Sequence, residues 1–429
     1  MVRKEPLLFK VYPQLKEKIP WIPLLTNVPS PVERLSNLEE YLKLNNGQIY
    51  IKRDDKIHNI YGGNKLRKFE FIFGNALKKK KKGIMTFGGI GTNHGLACAI
   101  MCNELSLKCD IFLFSQPITW HVQRSLLLFD YFGANLHPGG SDITTFIKAL
   151  LFQIRKPKYY FMFPGGSPLF GFGTSLGTIG FINAALELKE QIDRKLIPEP
   201  DEIFIAGAST GSSAGLVAGC KLVGLNSRIN IVSVYTKLTS NSSAVIKNAN
   251  KAIKLLHNQD KNIPRLKISD NDFNFIKGYL GSEYGIKTFK SQNAVDKVFE
   301  LEGKAKGFYL DTTYTGKTIA AMFDFLSLDE NKDKNTLFWN TYNSNLLDSY
   351  LKDTIFNYKK LPKKLHKIFE NNTFQCWQLT NCPEDIRINC PAYFHHEYRF
   401  WKVTECLLPE EKREKAHRVL KEVIKLEKN

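Results

Sequence analysis

The chain has 429 residues, 43% of them hydrophobic and 12% aromatic, which supplies core for two or more domains. No apolar run reaches membrane-spanning length, and Met1-Val2-Arg3-Lys4-Glu5 leads into no secretory apolar segment, so a cytoplasmic protein without membrane attachment is expected. The net charge of +19 is spread along the chain, and its densest run, Lys78 to Lys82, falls where a helix should end, which argues against nucleic-acid binding as the main role.

In chain order, Gln48-Ile49-Tyr50-Ile51-Lys52 reads as a strand leading into Arg53-Asp54-Asp55. Gly62-Gly63-Asn64-Lys65-Leu66-Arg67-Lys68 follows, and the apolar pattern of Phe69-Glu70-Phe71-Ile72-Phe73 predicts a helix with Lys65 near its N-terminus, where anions are favoured. Glycines before a lysine leave room for a flat group beside its amine, as a Schiff base requires. Ile84-Met85-Thr86-Phe87 predicts a strand, and Gly88-Gly89-Ile90-Gly91-Thr92-Asn93-His94-Gly95 a turn opening an apolar helix, whose amides and Thr hydroxyl suit a carboxylate. Strands are further expected at Asp110 to Phe114 and Tyr159 to Phe163, the latter running into Pro164-Gly165-Gly166-Ser167-Pro168 and then a long helix through Ala184-Ala185-Leu186.

Glu202 to Ala206 reads as a strand ending in Gly207-Ala208-Ser209-Thr210-Gly211-Ser212-Ser213-Ala214-Gly215. A strand, a Gly/Ser/Thr run and an apolar helix make a cup of amides and hydroxyls for a phosphate. The run lacks both the Gly-Lys-Thr of a nucleotide P-loop and the glycine spacing of a dinucleotide site; a small-residue helix packing closely on a sheet reads it equally well. The strand–helix alternation throughout predicts an α/β architecture with a parallel sheet. Cys98, Cys102, Cys109 and Cys220 lie among apolar residues and are expected to be buried.

Over about Ile22 to Leu337, this ordered series resembles the D-cysteine desulfhydrase and 1-aminocyclopropane-1-carboxylate deaminase family of tryptophan-synthase-β-like pyridoxal-phosphate enzymes. It comprises Lys52-Arg53-Asp54-Asp55, Gly62 to Lys68, Thr92-Asn93-His94, Gly165-Gly166-Ser167, the Ser209 loop, Glu283-Tyr284-Gly285 and Asp311-Thr312-Thr313-Tyr314-Thr315-Gly316-Lys317. The resemblance implies a fold type II, two-domain α/β structure with open, twisted, mostly parallel sheets flanked by helices, assembled as a homodimer. Residues 1–60 and 165–345 would form the large cofactor domain, 61–164 the small domain and 346–429 a helical, Cys-rich extension.

The same resemblance makes Lys65 the Schiff-base lysine of pyridoxal 5'-phosphate and Lys68 a phosphate partner, with Ser209, Thr210, Gly211 and Ser212 holding the rest of the phosphate. Asn93 would meet the cofactor's phenolic oxygen, Thr315 its pyridine nitrogen as a hydrogen-bond donor, and Thr92, Asn93 and His94 the substrate carboxylate. Tyr284 and Tyr314 would face the substrate, and Lys65, Thr92 or Tyr284 would be the base. The implied reaction is α,β-elimination from a small amino acid such as D-cysteine, giving pyruvate, ammonia and sulfide. Deamination of the cyclopropane amino acid is the alternative, and a non-catalytic or redox-sensing protein acting through its tail is a third. Thr315 and His94 favour the desulfhydrase branch, since the deaminase branch carries Glu and Gln there. The chain departs from the family in Thr92 for the usual Ser, which adds a methyl near the bulky Phe87, and in Asn340-Thr341-Tyr342-Asn343, where the family often has His-Thr-Gly-Gly. Lys317 is expected to be solvated.

Beyond the core, Leu346 to Leu365 reads as one or two lysine-rich amphipathic helices broken at Pro362. Cys376, Cys382, Cys390 and Cys406 follow with C-x5-C-x7-C-x15-C spacing, resembling Cys-Trp modules. That spacing admits a metal or cluster, with His395 and His396 as substitute ligands, or an unmetallated aromatic core.

Overall fold

A computed structural model describes residues 5–167, 173–236, 239–282, 284–351 and 358–370. The described residues form two compact units: those within 1–86, 100–109 and 150–346 make the larger, and those within 87–99, 110–149 and 347–370 the smaller. Residues 61–86, with the helix bearing Lys65, belong to the larger unit.

The larger unit is built on a six-stranded sheet. In chain order its strands are β1 (Val32–Arg34), β2 (Ile49–Arg53), β7 (Glu202–Gly207), β8 (Arg228–Ser233), β9 (Phe273–Ile276) and β10 (Thr336–Asn340), arranged β1-β2-β10-β7-β8-β9. Only β1 is antiparallel to its neighbour. β2 and β10 pair through Ile49↔Thr336 to Arg53↔Asn340, and β7 and β8 through Glu202↔Arg228 to Gly207↔Ser233. The carboxyl ends of five parallel strands therefore share one edge, where open α/β sheets place ligands. Ile203, Ile205, Ile229, Ile231, Leu337 and Trp339 belong to one buried cluster and Ile49, Ile51, Phe204, Val232 and Phe338 to another, so both faces are covered, as a parallel sheet needs.

Helices Asn64–Lys78, Leu176–Asp193 and Gly211–Leu222 pack together on the first of these faces. Their small residues let backbones touch: a Cβ at Gly180 would stand 2.1 Å from the Arg67 carbonyl, and one at Gly215 2.3 Å from that of Thr178. The helix after Lys65 ends at Lys78, as the lysine run predicts.

A second sheet orders β5 (Ala134–Pro138), β4 (Lys108–Phe114), β3 (Gly83–Gly89) and β6 (Tyr159–Phe161). Cys98, Cys102, Cys109 and Cys220 are buried as expected. The described parts of Leu346 to Leu365 are short 3-10 turns at Asp348–Leu351, Tyr358–Lys360 and Lys363–Leu365 instead of the expected α-helices. Among the described residues, no helix is long and apolar enough to cross a membrane.

Candidate active site

Gly62 and Gly63 deliver the chain from β2 to the helix Asn64–Lys78 in a turn with no space for side chains. A Cβ at Gly62 would stand 1.8 Å from the Asp55 carbonyl, and Gly63 sits at φ 93° with the Thr341 carbonyl 2.7 Å from its would-be Cβ. Lys65 and Lys68 then lie one turn apart on the helix. The Lys65 Nζ donates to Asn64 Oδ1 at 3.0 Å and the Lys68 Nζ to Ser167 Oγ at 2.7 Å. Burial pulls the Lys65 amine down from 10.5 to about 8, partly opposed by Asp311. Burial, helped by Lys65, pulls Lys68 well below its ordinary value.

Because the Lys65 amine falls near 8 instead of 10.5, the unfolded chain binds more protons than the cofactor-free fold between those values, and stability rises with pH across that window. Lys65→Met is expected to stabilise the cofactor-free protein by roughly 3 kcal/mol at neutral pH, an advantage that vanishes above the ordinary lysine pKa. Denaturant melts of both proteins at the two pH values check this; equal differences at both would contradict it.

Opposite the lysines, β7 ends in the expected cup. Thr210 lies in the left-handed region at φ 59°, and Gly211 opens the helix Gly211–Leu222. A Cβ on Gly211 would stand 1.9 Å from Ser167 Oγ and 2.8 Å from Lys68 Nζ, so the cup and Lys68 are in direct reach of one another. Asn64 Nδ2 donates to Ser212 Oγ at 3.0 Å, and Asn248 Nδ2 to Thr210 Oγ1 at 3.0 Å. Neither Lys65 nor Lys68 has a carboxylate within ion-pair distance among the described residues. A half-buried amine at Lys65 and a buried one at Lys68, beside amides and hydroxyls at a helix start, fit a bound phosphate and carbonyl compound. The small-residue reading of this helix also holds, further along, at Gly215.

A third group gathers at the start of the helix Thr315–Leu326. The Asp311 carboxylate accepts from the amides of Thr313 at 2.9 Å, Tyr314 at 2.7 Å and Thr315 at 3.0 Å, and from Thr315 Oγ1 at 2.7 Å. Thr315 Oγ1 also accepts from the Asp311 amide at 2.9 Å. The phenol oxygens of Tyr284 and Tyr314 hydrogen-bond, and the Tyr284 ring packs edge-on against Tyr235 at 4.5 Å between centroids. Burial is the main reason that Tyr284 is pushed up to about 12 and Tyr314 well above 10, so both phenols stay protonated. Lys317, expected to be solvated, is buried and donates to the Leu280 carbonyl at 2.6 Å.

In the smaller unit, β3 leads through Ile90 to Thr92 into the helix Asn93–Glu104. The Thr92 amide donates to the Gly89 carbonyl at 3.0 Å, and Thr92 Oγ1 accepts from the Gly95 amide at 3.3 Å. The extra methyl of Thr92 is turned toward Gly95, whose would-be Cβ stands 2.5 Å from it. His94 is buried; Thr92 and Asn93 are half-buried. Glu283 and the proposed metal ligands Cys376, Cys382, Cys390 and Cys406, with His395 and His396, lie outside the described residues.

Sequence reasoning missed the buried charge network behind the lysine helix. Arg67 donates to Asp54 Oδ1 at 2.6 Å and Glu187 Oε1 at 2.9 Å, Lys52 Nζ to Glu187 Oε1 at 2.7 Å, and Trp339 Nε1 to Asp54 Oδ2 at 2.8 Å. Asp54 and Arg67 stood within the quoted motifs, but nothing nearby in sequence marks Glu187 as their partner.

A parallel sheet whose strand ends carry a depressed lysine, a second buried lysine and an amide cup defines an α/β enzyme built around a phosphorylated carbonyl cofactor. The family described as pyridoxal-phosphate dependent enzyme matches residues 24–341, and the chain belongs to it. It is a pyridoxal-phosphate-dependent lyase or deaminase. The chain is 30% identical over 320 residues to a Thermotoga maritima protein provisionally named 1-aminocyclopropane-1-carboxylate deaminase, covering 73% of this chain and 93% of that one. It is also 30% identical over 337 residues to the D-cysteine desulfhydrase of Salmonella schwarzengrund, covering 76% and 95%. The crystal structure of an ACC deaminase homologue superposes with a TM-score of 0.63 at 24% identity, over 78% of this chain and 94% of that one. Threonine deaminase isoform 2 of Solanum lycopersicum does so at 0.51 and 18% identity, over 82% and 94%. These two superpositions show the fold, which is that of the fold type II pyridoxal-phosphate enzymes.

Proposed function

We propose that the chain carries out β-elimination on a small amino acid, D-cysteine by preference, releasing pyruvate, ammonia and sulfide. The observation that carries this reading is the pair of half-buried Lys65 and buried Lys68 facing the Ser209–Ser212 cup, with two protonated tyrosines on the same sheet edge. Bound pyridoxal phosphate supplies the electron sink for the pair left when a Cα proton is removed.

The chain's residues do the rest. Lys65, its amine depressed to about 8, is partly neutral near physiological pH, so it can attack a carbonyl and take a proton. Lys68, Ser167, Ser209, Thr210, Gly211 and Ser212 hold the phosphate, the backbone amides at the helix start adding to the hydroxyls. Thr92, Asn93 and His94 receive the substrate carboxylate, and Asn93 also the cofactor's phenolic oxygen. Tyr284 or Tyr314, held protonated, hands a proton to the leaving group, with Thr92 as the other candidate base. The Thr315 hydroxyl donates a hydrogen bond to the ring nitrogen.

Deamination of 1-aminocyclopropane-1-carboxylate is the second reading, favoured by the name of the Thermotoga relative. Incubating the purified protein with each compound separates them: sulfide and pyruvate from D-cysteine are expected, with little 2-oxobutanoate from the cyclopropane substrate. The reverse pattern would sink the desulfhydrase reading. We propose further that the enzyme is a cytoplasmic homodimer. The helix Asp142–Arg155 leaves Ile143, Ile147, Leu151 and Ile154 exposed along one stripe, which suits a second copy; sedimentation velocity would show a dimer, and a monomer would contradict it.

A further inference from the structure

The segment after β10 lies against the turn that delivers Lys65. All three amides of that turn are taken. Gly62 donates to Asn343 Oδ1 at 2.8 Å, Gly63 to the Asp54 carbonyl at 2.7 Å and Asn64 to the Thr341 carbonyl at 3.2 Å. Two of these acceptors come from residues 341–343, and only one of the three is a side chain. Asn343 is itself held at both ends. Its Nδ2 donates to the Asn345 carbonyl at 3.0 Å, and its Oδ1 accepts from the Asn345 amide at 3.2 Å. Asn345 Nδ2 then donates to the carbonyls of His58 at 3.0 Å and Asn59 at 3.1 Å, on the chain just before the glycines.

The contact leaves no slack on the other side. A Cβ at Gly63 would stand 2.7 Å from the Thr341 carbonyl oxygen and 3.0 Å from that of Tyr342, so the turn and the 341–342 backbone are already as close as two main chains can be. Gly63, at φ 93°, has a wide range of alternative conformations, so the turn's shape depends on these outside bonds rather than on its own residues. A glycine at 343, which the resemblance noted above leads one to expect, offers no oxygen to Gly62.

We propose that Asn343 is a positioning residue: its carboxamide fixes the Gly62-Gly63 turn and so the point from which Lys65 reaches the cofactor. Asn343 touches no reacting group; it acts through the backbone two and three residues ahead of Lys65. The departure from His-Thr-Gly-Gly is thereby a clasp on the cofactor lysine. This rests on the reading of Lys65 as the lysine that binds the cofactor.

The test compares N343A, N343S and N343D with the wild type in three measurements: cofactor dissociation constant, the pH midpoint of the visible absorption of the lysine-bound cofactor, and melting temperature. N343A loses the acceptor and is expected to bind cofactor roughly tenfold more weakly, as loss of one well-made hydrogen bond implies, with a displaced absorption midpoint. N343D keeps Oδ1 and is expected to restore the midpoint. N343S, whose oxygen stops short of Gly62, should resemble N343A and serves in its place if N343A does not fold. An unchanged affinity and midpoint in N343A or N343S, or an N343D no better than they are, would overturn the proposal. A wild-type absorption persisting in Lys65→Ala would instead show that the Lys65 reading had failed.

Discussion

Replacing Arg67 by methionine is expected to destabilise the protein by about 3–5 kcal/mol, the cost of breaking a buried ion pair from one side. The guanidinium is buried and makes five hydrogen bonds, two to Asp54, two to Glu187 and one to Ser30. Methionine fills most of the volume but takes the guanidinium away from both carboxylates, while Trp339 and Ser30 still donate to Asp54 and Lys52 and Ser30 to Glu187. Burial alone would raise the Glu187 carboxyl; Arg67 and Lys52 outweigh it and hold Glu187 far below the ordinary 4.5. A depressed carboxyl contributes stability above its unfolded pKa and loses it as the pH falls below 4.5. The wild type should therefore weaken steeply in acid, and Arg67→Met less steeply, because much of that linkage is already gone. Urea melts at pH 7 and pH 4 check both statements; a loss under about 1 kcal/mol would mean that the network contributes little.

Lys65→Ala is expected to abolish the cofactor's visible absorption and to lower turnover by at least about a thousandfold, the scale of losing a covalent catalyst. Lys68 is not expected to take over. Its Nζ is bound to Ser167 and lies beside Gly211, on the phosphate side of the site, so it is in place as a cation and not as the nucleophile. Lys68→Ala should accordingly weaken cofactor binding while the absorption of bound cofactor survives. An enzyme lacking Lys65 that still turned over D-cysteine within tenfold of wild type would refute the assignment.

Much of the site was legible because its chemistry depends on local backbone. Glycines at 62, 63 and 211 are required by atoms that a Cβ would strike, and such residues stand out in a sequence. The strand before each glycine run and the helix after it were visible as apolar patterns, which is why β2, β3, β7 and their helices fall close to where they were expected. What escaped was long-range. Glu187 pairs with Arg67 across 120 residues from the middle of an apolar helix, and no spacing rule reports that. Lys317 follows a polar motif and looks solvated, yet its helix faces the sheet and its ammonium is tied to Leu280. The tie between Thr315 and Asp311, four residues earlier, is a detail of the helix cap that the motif alone does not report.

The most direct test of the account is chemical trapping of the cofactor. Protein purified with pyridoxal phosphate is reduced with borohydride, digested and mapped by mass spectrometry. The account predicts a stable pyridoxyl phosphate adduct on Lys65 and on no other lysine, absent when Lys65 is replaced by alanine; an adduct on Lys68 or elsewhere, or none at all, would contradict it.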